Sequence, residues 1–180
     1  MTGRAAPTLT TPRLILRPHR ADDLESCVEL WQDPVVTRHT SGRPLSRQDV
    51  WTRLLRHPGH WALLGFGYWV AQERETGRFV GEVGLGRWKR DLLAGHPELD
   101  AIPEAGWVTL PWAHGRGYAH EAVAAALAWR DAHVDGDETF CIISPENAAS
   151  LRLAARVGFM QKAHTGPADD PVLILTRTGR

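Results

Sequence analysis

In "PWAHGRGYAHEA", Pro111 to Ala122, two glycines flank a single arginine and an alanine-rich run follows at once. Gly115 and Gly117 therefore stand at the entrance to a helix, where the first backbone N–H groups have no intrahelical partner. Those groups point out of the helix end and carry a partial positive charge, which suits an anion, phosphate above all. Glycine lets the backbone come close to such a ligand because no Cβ intervenes, and Arg116 adds a cation. A plain tight corner would use the same residues, so the spacing alone leaves both readings open.

A second constellation lies in "SPENAASLRLAARVGF", Ser144 to Phe159. Asn147 is a good N-cap and Gly158 a good stop for a short helix. Ser150, in its first turn, is by its place a good local hydrogen-bonder. Glu82, in "RFVGEVGLGRW", and Glu104, heading "EAGWVTL", sit on strands and are candidates to relay a proton through water; ordinary strand carboxylates are the alternative. His114 and His120 titrate near neutrality, the first as turn scaffold and the second on the helix surface. Arg152 and Arg156, four apart, form a solvated face or contact cofactor phosphates. Eight tryptophans offer an aromatic wall for a substrate ammonium, although core packing accounts for most of them.

The elements that must position these residues follow from periodicity. "RLILRP" (Arg13–Pro18) reads as a strand, and Ala21–Trp31 as a helix with acids in its first turn. Ser46–His57 opens like a capping box and should end before Pro58. Gly65–Glu73 and Arg78–Trp88 are β-rich and joined like a hairpin. Strand Glu104–Leu110, helix Ala119–Ala132, strand Glu138–Ser144, the helix from Asn147 and two closing strands complete the order. Strand, glycine turn, helix, strand requires a parallel crossover, whereas the first half is an antiparallel meander. The expected class is α+β, with a mixed, mostly antiparallel sheet of about seven strands and about four helices. Residues 1–10 read as a flexible leader and 11–180 as a single domain.

Composition sets bounds. The formal net charge is zero, so no global field draws in nucleic acid or an anionic membrane. No apolar run approaches the roughly 20 residues that span a bilayer, and the N-terminus lacks a secretory h-region. Cys27 and Cys141 fit no metal spacing and read as reduced thiols of a cytoplasmic protein; no metal is expected.

The glycine turn fails the P-loop pattern, which needs Gly-Lys-Ser/Thr, and fails the dinucleotide fingerprint, whose third glycine is replaced by His120. Taken with the Asn147–Phe159 stretch, it resembles the GNAT superfamily of acyl-CoA-dependent N-acetyltransferases. The family's pyrophosphate turn, Q/R-x-x-G-x-G/A, maps onto His114-Gly115-Arg116-Gly117-Tyr118-Ala119, with His in an unusual first position. "TPRLILRP", "GRFVGEVGL" and "EAGWVTLPWAHGRGYAHEA" are similar to the branch that acetylates ribosomal-protein N-termini. The resemblance implies an acetyl-CoA site between two splayed parallel strands, Glu104–Leu110 and Glu138–Ser144. Its pantetheine arm would bond the backbone of Trp107, Val108 and Thr109, with Asn147 and Ser150 close by. A backbone N–H near Val108 or Thr109 would serve the oxyanion. Many relatives carry a tyrosine acid where this chain has Ala154; the branch it resembles implies Ser150 instead. The implied acceptor is a protein α-amine or a small amine, with the protein acting as monomer or homodimer. A catalytically silent CoA-binding sensor is the rival reading.

Overall fold

The computed structural model describes residues 5–167 and 170–179. Its first half runs β1 (Leu9–Thr10), β2 (Leu14–Arg17), α1 (Leu24–Gln32), α2 (Pro34–Thr37), α3 (Arg47–Leu64), β3 (Tyr68–Glu73) and β4 (Phe79–Gly86). The second half runs β5 (Glu104–Thr109), α4 (Tyr118–His133), β6 (Glu138–Ile143), α5 (Ala148–Arg156), β7 (Met160–Thr165) and β8 (Val172–Thr178). One sheet holds all eight strands in the order β1-β2-β3-β4-β5-β6-β8-β7. Every neighbouring pair is antiparallel except β5–β6. The mixed sheet and its crossover through α4 follow from the strand–glycine turn–helix–strand order.

β5 and β6 share a single register pair, Glu104 with Phe140. Beyond it the strands part, and on its other side β5 stays paired with β4 through Thr109 opposite Gly81. The result is a gap inside the sheet, flanked by backbone with no strand to bond. α4 packs over one face, burying Tyr118, Ala122, Val123, Ala126 and Leu127 at helical spacing against Val80, Val83 and Leu85. α1 and α3 cover the other face near β3 and β4. Trp61, Trp69 and Trp129 interlock edge-to-face in the core, with ring centroids 4.8–5.3 Å apart. Those three tryptophans belong to packing, as do the buried thiols Cys27 and Cys141.

Two boundaries differ from expectation. The leader was expected to span residues 1–10; residues 1–4 lie outside the described residues, but Leu9 and Thr10 pair with Leu16 and Ile15. Ala6 is buried and the Pro7 carbonyl accepts a hydrogen bond from Trp69 Nε1 at 2.8 Å. The sheet edge thus recruits this segment, giving an eighth strand. α3 was expected to stop before Pro58, yet it runs on to Leu64. A proline inside a helix costs about 3 kcal/mol. The buried face Val50, Leu54, His57 and Trp61 spans it, and Trp61 Nε1 also donates to the Tyr68 carbonyl at 3.0 Å. Tertiary burial on both sides of Pro58 overrides the local stop signal.

Candidate active site

The glycine turn sits where β5 leaves the gap. Gly115 and Gly117 adopt φ of +72° and +78°, a left-handed backbone that costs other residues roughly 1–2 kcal/mol each. Gly117 is the N-cap of α4 and has no side-chain cap. Among the described residues, nothing accepts from the amides of residues 115–120. A Cβ on Gly115 would meet no atom within 4 Å, so the protein's own side chains do not fill the bend. Alongside runs a groove of about 590 Å3 whose walls include Arg13, Gly117, His120 and Arg156.

Several side chains hold this turn rather than face it. His114 Nε2 lies 3.0 Å from the Thr109 carbonyl, tying the turn to the end of β5. Tyr118 is buried and its hydroxyl donates to Glu73, so only its amide faces outward. Arg116 is exposed, and its carbonyl is drawn back by Arg13 Nη1 at 2.8 Å. Arg13 is itself held by Glu121 through Nε at 2.7 Å and through its backbone N–H at 2.8 Å. Arg13 carries no mark in the sequence beyond its place in "TPRLILRP"; its partners lie more than 100 residues away.

Along β5, Leu110 N–H donates to the Val80 carbonyl. Strand groups alternate sides, so Val108 also turns its N–H and C=O toward β4. Trp107 and Thr109 turn theirs into the gap. The backbone groups of Val108, expected to face a ligand in the gap, are turned toward β4 instead. Across the gap, Asn147 caps α5 by accepting from Ser150 N–H at 3.1 Å. Ser150 Oγ accepts from Trp107 Nε1 at 3.3 Å, which leaves the hydroxyl hydrogen free to donate elsewhere. Ala119 is half-buried in the first turn of α4, and Arg152 and Arg156 are exposed.

Glu82 and Glu104 are both on the α1/α3 side, and neither faces solvent. Glu104 is buried and clamped by Arg90, with Nε–Oε2 and Nη2–Oε1 both at 2.8 Å. Glu82, 1% exposed, accepts from Trp31 Nε1 at 2.9 Å and lies 3.0 Å from His19 Nε2. His57 Nε2 stands 3.6 Å away and Arg53 Nε 3.9 Å. Burial alone would raise the Glu82 carboxyl, but the hydrogen bond to His19 and the surrounding positive groups hold it below the ordinary carboxylate range. Such a group is a poor proton acceptor, so Glu82 anchors its neighbours better than it relays protons. Burial also drives His57 well below its usual pKa, keeping the ring neutral.

His19, His57 and Glu82 each bring a potential ligand atom within 4.8 Å of the others. The two imidazoles stack at 4.1 Å with planes 18° apart, so their lone pairs run side by side rather than converge. With Trp31 Nε1 donating to the carboxylate and His19 within hydrogen-bond distance of it, the arrangement is a hydrogen-bonded cluster. Tyr68 completes it: a Cβ on Gly106 would lie 2.0 Å from the Tyr68 hydroxyl, so the phenol stands over β5 at the edge of the gap. His57 was legible as an oddity, a polar residue on the apolar stripe 50, 54, 57, 61. His19, Arg53 and Tyr68 gave no comparable signal.

Comparison with known proteins agrees with this geometry. A family model described as an acetyltransferase (GNAT) domain matches residues 13–160. An uncharacterized Bacillus subtilis protein, YkkB, is 27% identical over 177 residues, covering 96% of each chain. A GNAT-family acetyltransferase of Bordetella pertussis superposes with a TM-score of 0.83 at 28% identity, covering 96% of this chain and all of that one. An acetyltransferase of Agrobacterium tumefaciens gives 0.80 at 26% identity, covering 96% and 94%. The turn with unpartnered amides, the parted strands and a family match over most of the chain converge: the protein belongs to the GNAT acetyltransferases and is an acetyl-CoA-dependent N-acetyltransferase.

Proposed function

We propose that the protein transfers the acetyl group of acetyl-CoA to a primary amine by direct attack within a ternary complex. The carrying observation is the opened sheet, with unpartnered turn amides at one end and a fixed Ser150 hydroxyl beside it. The residues present fit the coenzyme. The amides of 115–119 offer donors to its diphosphate, and the gap-facing N–H and C=O of Trp107 offer a strand edge to its pantetheine arm. The groove past Arg13, His120 and Arg156 suits its adenosine phosphate end.

The gap passes through the sheet, so its two faces can do different work. The amine approaches from the Tyr68 side as the free base, having lost its proton to water. Its nitrogen bonds to the thioester carbon, and the oxygen that gains charge is stabilised by the Thr109 N–H. One such donor contributes about 3 kcal/mol of barrier lowering. As the C–S bond breaks, the nitrogen gives up its extra proton to water and the sulfur takes the Ser150 proton from the α5 side, the serine being reprotonated from water. The Trp107 indole N–H remains on the serine oxygen, the one hydrogen bond that strengthens as charge builds there.

Two measurements test this. Calorimetric titration should show coenzyme A binding to the folded protein. Incubation with acetyl-CoA and a panel of amines, read as thiol release, should show turnover. Coenzyme binding with no turnover on any amine would leave a silent sensor instead. Folded protein that takes up no coenzyme would sink both.

A further inference from the structure

Five buried ring or guanidinium nitrogens on the α1/α3 side have no partner among the described residues: Trp88 Nε1, Arg53 Nε, His19 Nδ1 and both nitrogens of His57. They are neighbours. Tyr68 lies 5.6 Å from Trp88 and 5.3 Å from His57, and His57 lies 4.1 Å from His19. An indole N–H and a guanidinium Nε–H can only donate. Whatever completes this site must bring acceptor atoms, because buried polar groups are rarely left unpaired.

The charges point the same way. Arg53 faces Glu82 at 3.9 Å and Arg90 is clamped on Glu104. Arg56, one helical turn beyond Arg53 on α3, rises over Trp88 with Cζ 5.4 Å from the ring centroid. It meets no carboxylate within 4.0 Å among the described residues. Its pKa is lowered by burial and then by Arg53 and Arg90, as expected for a cation crowded by cations and lacking a counter-charge.

Building on the amine-acetyltransferase reading, we propose that the acceptor is a primary amine that also carries an oxyanion, a carboxylate or phosphate, which pairs with Arg56 and the unpartnered donors around Trp88. The same field repels a second ammonium, so polyamines are excluded.

The test is a matched panel with acetyl-CoA: ω-amino acids of two to six carbons, the corresponding aminoalkyl phosphonates, the plain alkylamines and the diamines. Two tripeptides, alanyl-glutamyl-glutamate and alanyl-lysyl-lysine, extend it to peptide N-termini. Turnover should favour the acidic members by roughly ten- to hundredfold in kcat/KM, the usual worth of a hydrogen-bonded charge. The carboxylate and phosphonate arms show which oxyanion fits. Arg56→Gln, which keeps the stem on Trp88, should erase that preference while leaving the KM for acetyl-CoA unchanged, and Arg56→Lys should restore part of it. Diamines or alkylamines used as well as the acids, or a preference indifferent to Arg56→Gln, would overturn the assignment alone. A folded, coenzyme-binding protein silent on every amine would overturn the acetyltransferase reading, and this one with it.

Discussion

The two ends of the cleft are built by opposite means. At the end proposed for the coenzyme, contiguous backbone from Leu110 to Tyr118 forms the turn, and side chains such as His114 and Arg13 brace it. At the end proposed for the acceptor, His19 just past β2, Trp31 of α1 and Arg53 and His57 of α3 meet around one buried carboxylate of β4, Glu82. A ligand whose chemistry is shared across a whole family can be held by amides that any residue supplies. An acceptor that differs between proteins has to be read by side chains, and burying those side chains couples recognition to stability.

The largest expected effect follows from that coupling. Glu82→Ala leaves the donors of His19 and Trp31 and the charge of Arg53 facing a hole. It should cost about 3–5 kcal/mol in denaturant unfolding, the usual penalty for breaking a buried charge cluster. The wild-type carboxyl is held below its unfolded value, so its stabilisation is complete above the ordinary carboxylate pKa near 4.5. It is lost as pH falls from there toward the folded value. Glu82→Gln should flatten this acid limb; an unaltered limb would show that other carboxyls set it.

Next in size is Ser150→Ala. If Ser150 is the proton donor to sulfur proposed above, its loss should lower kcat about a hundredfold, with coenzyme affinity within twofold. Equal small losses in both quantities would reduce Ser150 to a cap of α5.

Gly117→Val sharpens the contrast from the coenzyme side. A β-branched residue at φ +78° is strained, and its Cβ would come within 3.3 Å of Arg13 Nη2. Coenzyme binding by calorimetry should weaken about five- to thirtyfold, corresponding to the roughly 1–2 kcal/mol of left-handed strain. Acceptor preference should not move. Gly115→Ala, with open space around it, should lose less.

Trp107→Phe is the smallest change: it removes one hydrogen bond to Ser150 Oγ, worth about 1 kcal/mol. It should lower kcat severalfold and have no further effect in the Ser150→Ala background. Additive losses would break the proposed link between the two.

What could be read without coordinates was local. The glycine turn, the Asn147 cap and the order strand, turn, helix, strand each depend on residues within a few positions of one another, and they pointed to the α+β class and to the turn proposed for the coenzyme. Pro58 shows where local rules fail: the helix passes through it because Trp61 and His57 are buried on either side. The N-terminal residues fail likewise, since only the β2 edge gives Leu9 and Thr10 partners. Nor could alternation along β5 be assigned without knowing which neighbour bonds Leu110, so the choice between Val108 and Thr109 waited for the sheet. The acceptor end lay beyond reach for the same reason. His19, Arg53, Tyr68 and Glu82 become one site only when a charge buried in β4 gathers partners from elements that the chain order keeps apart.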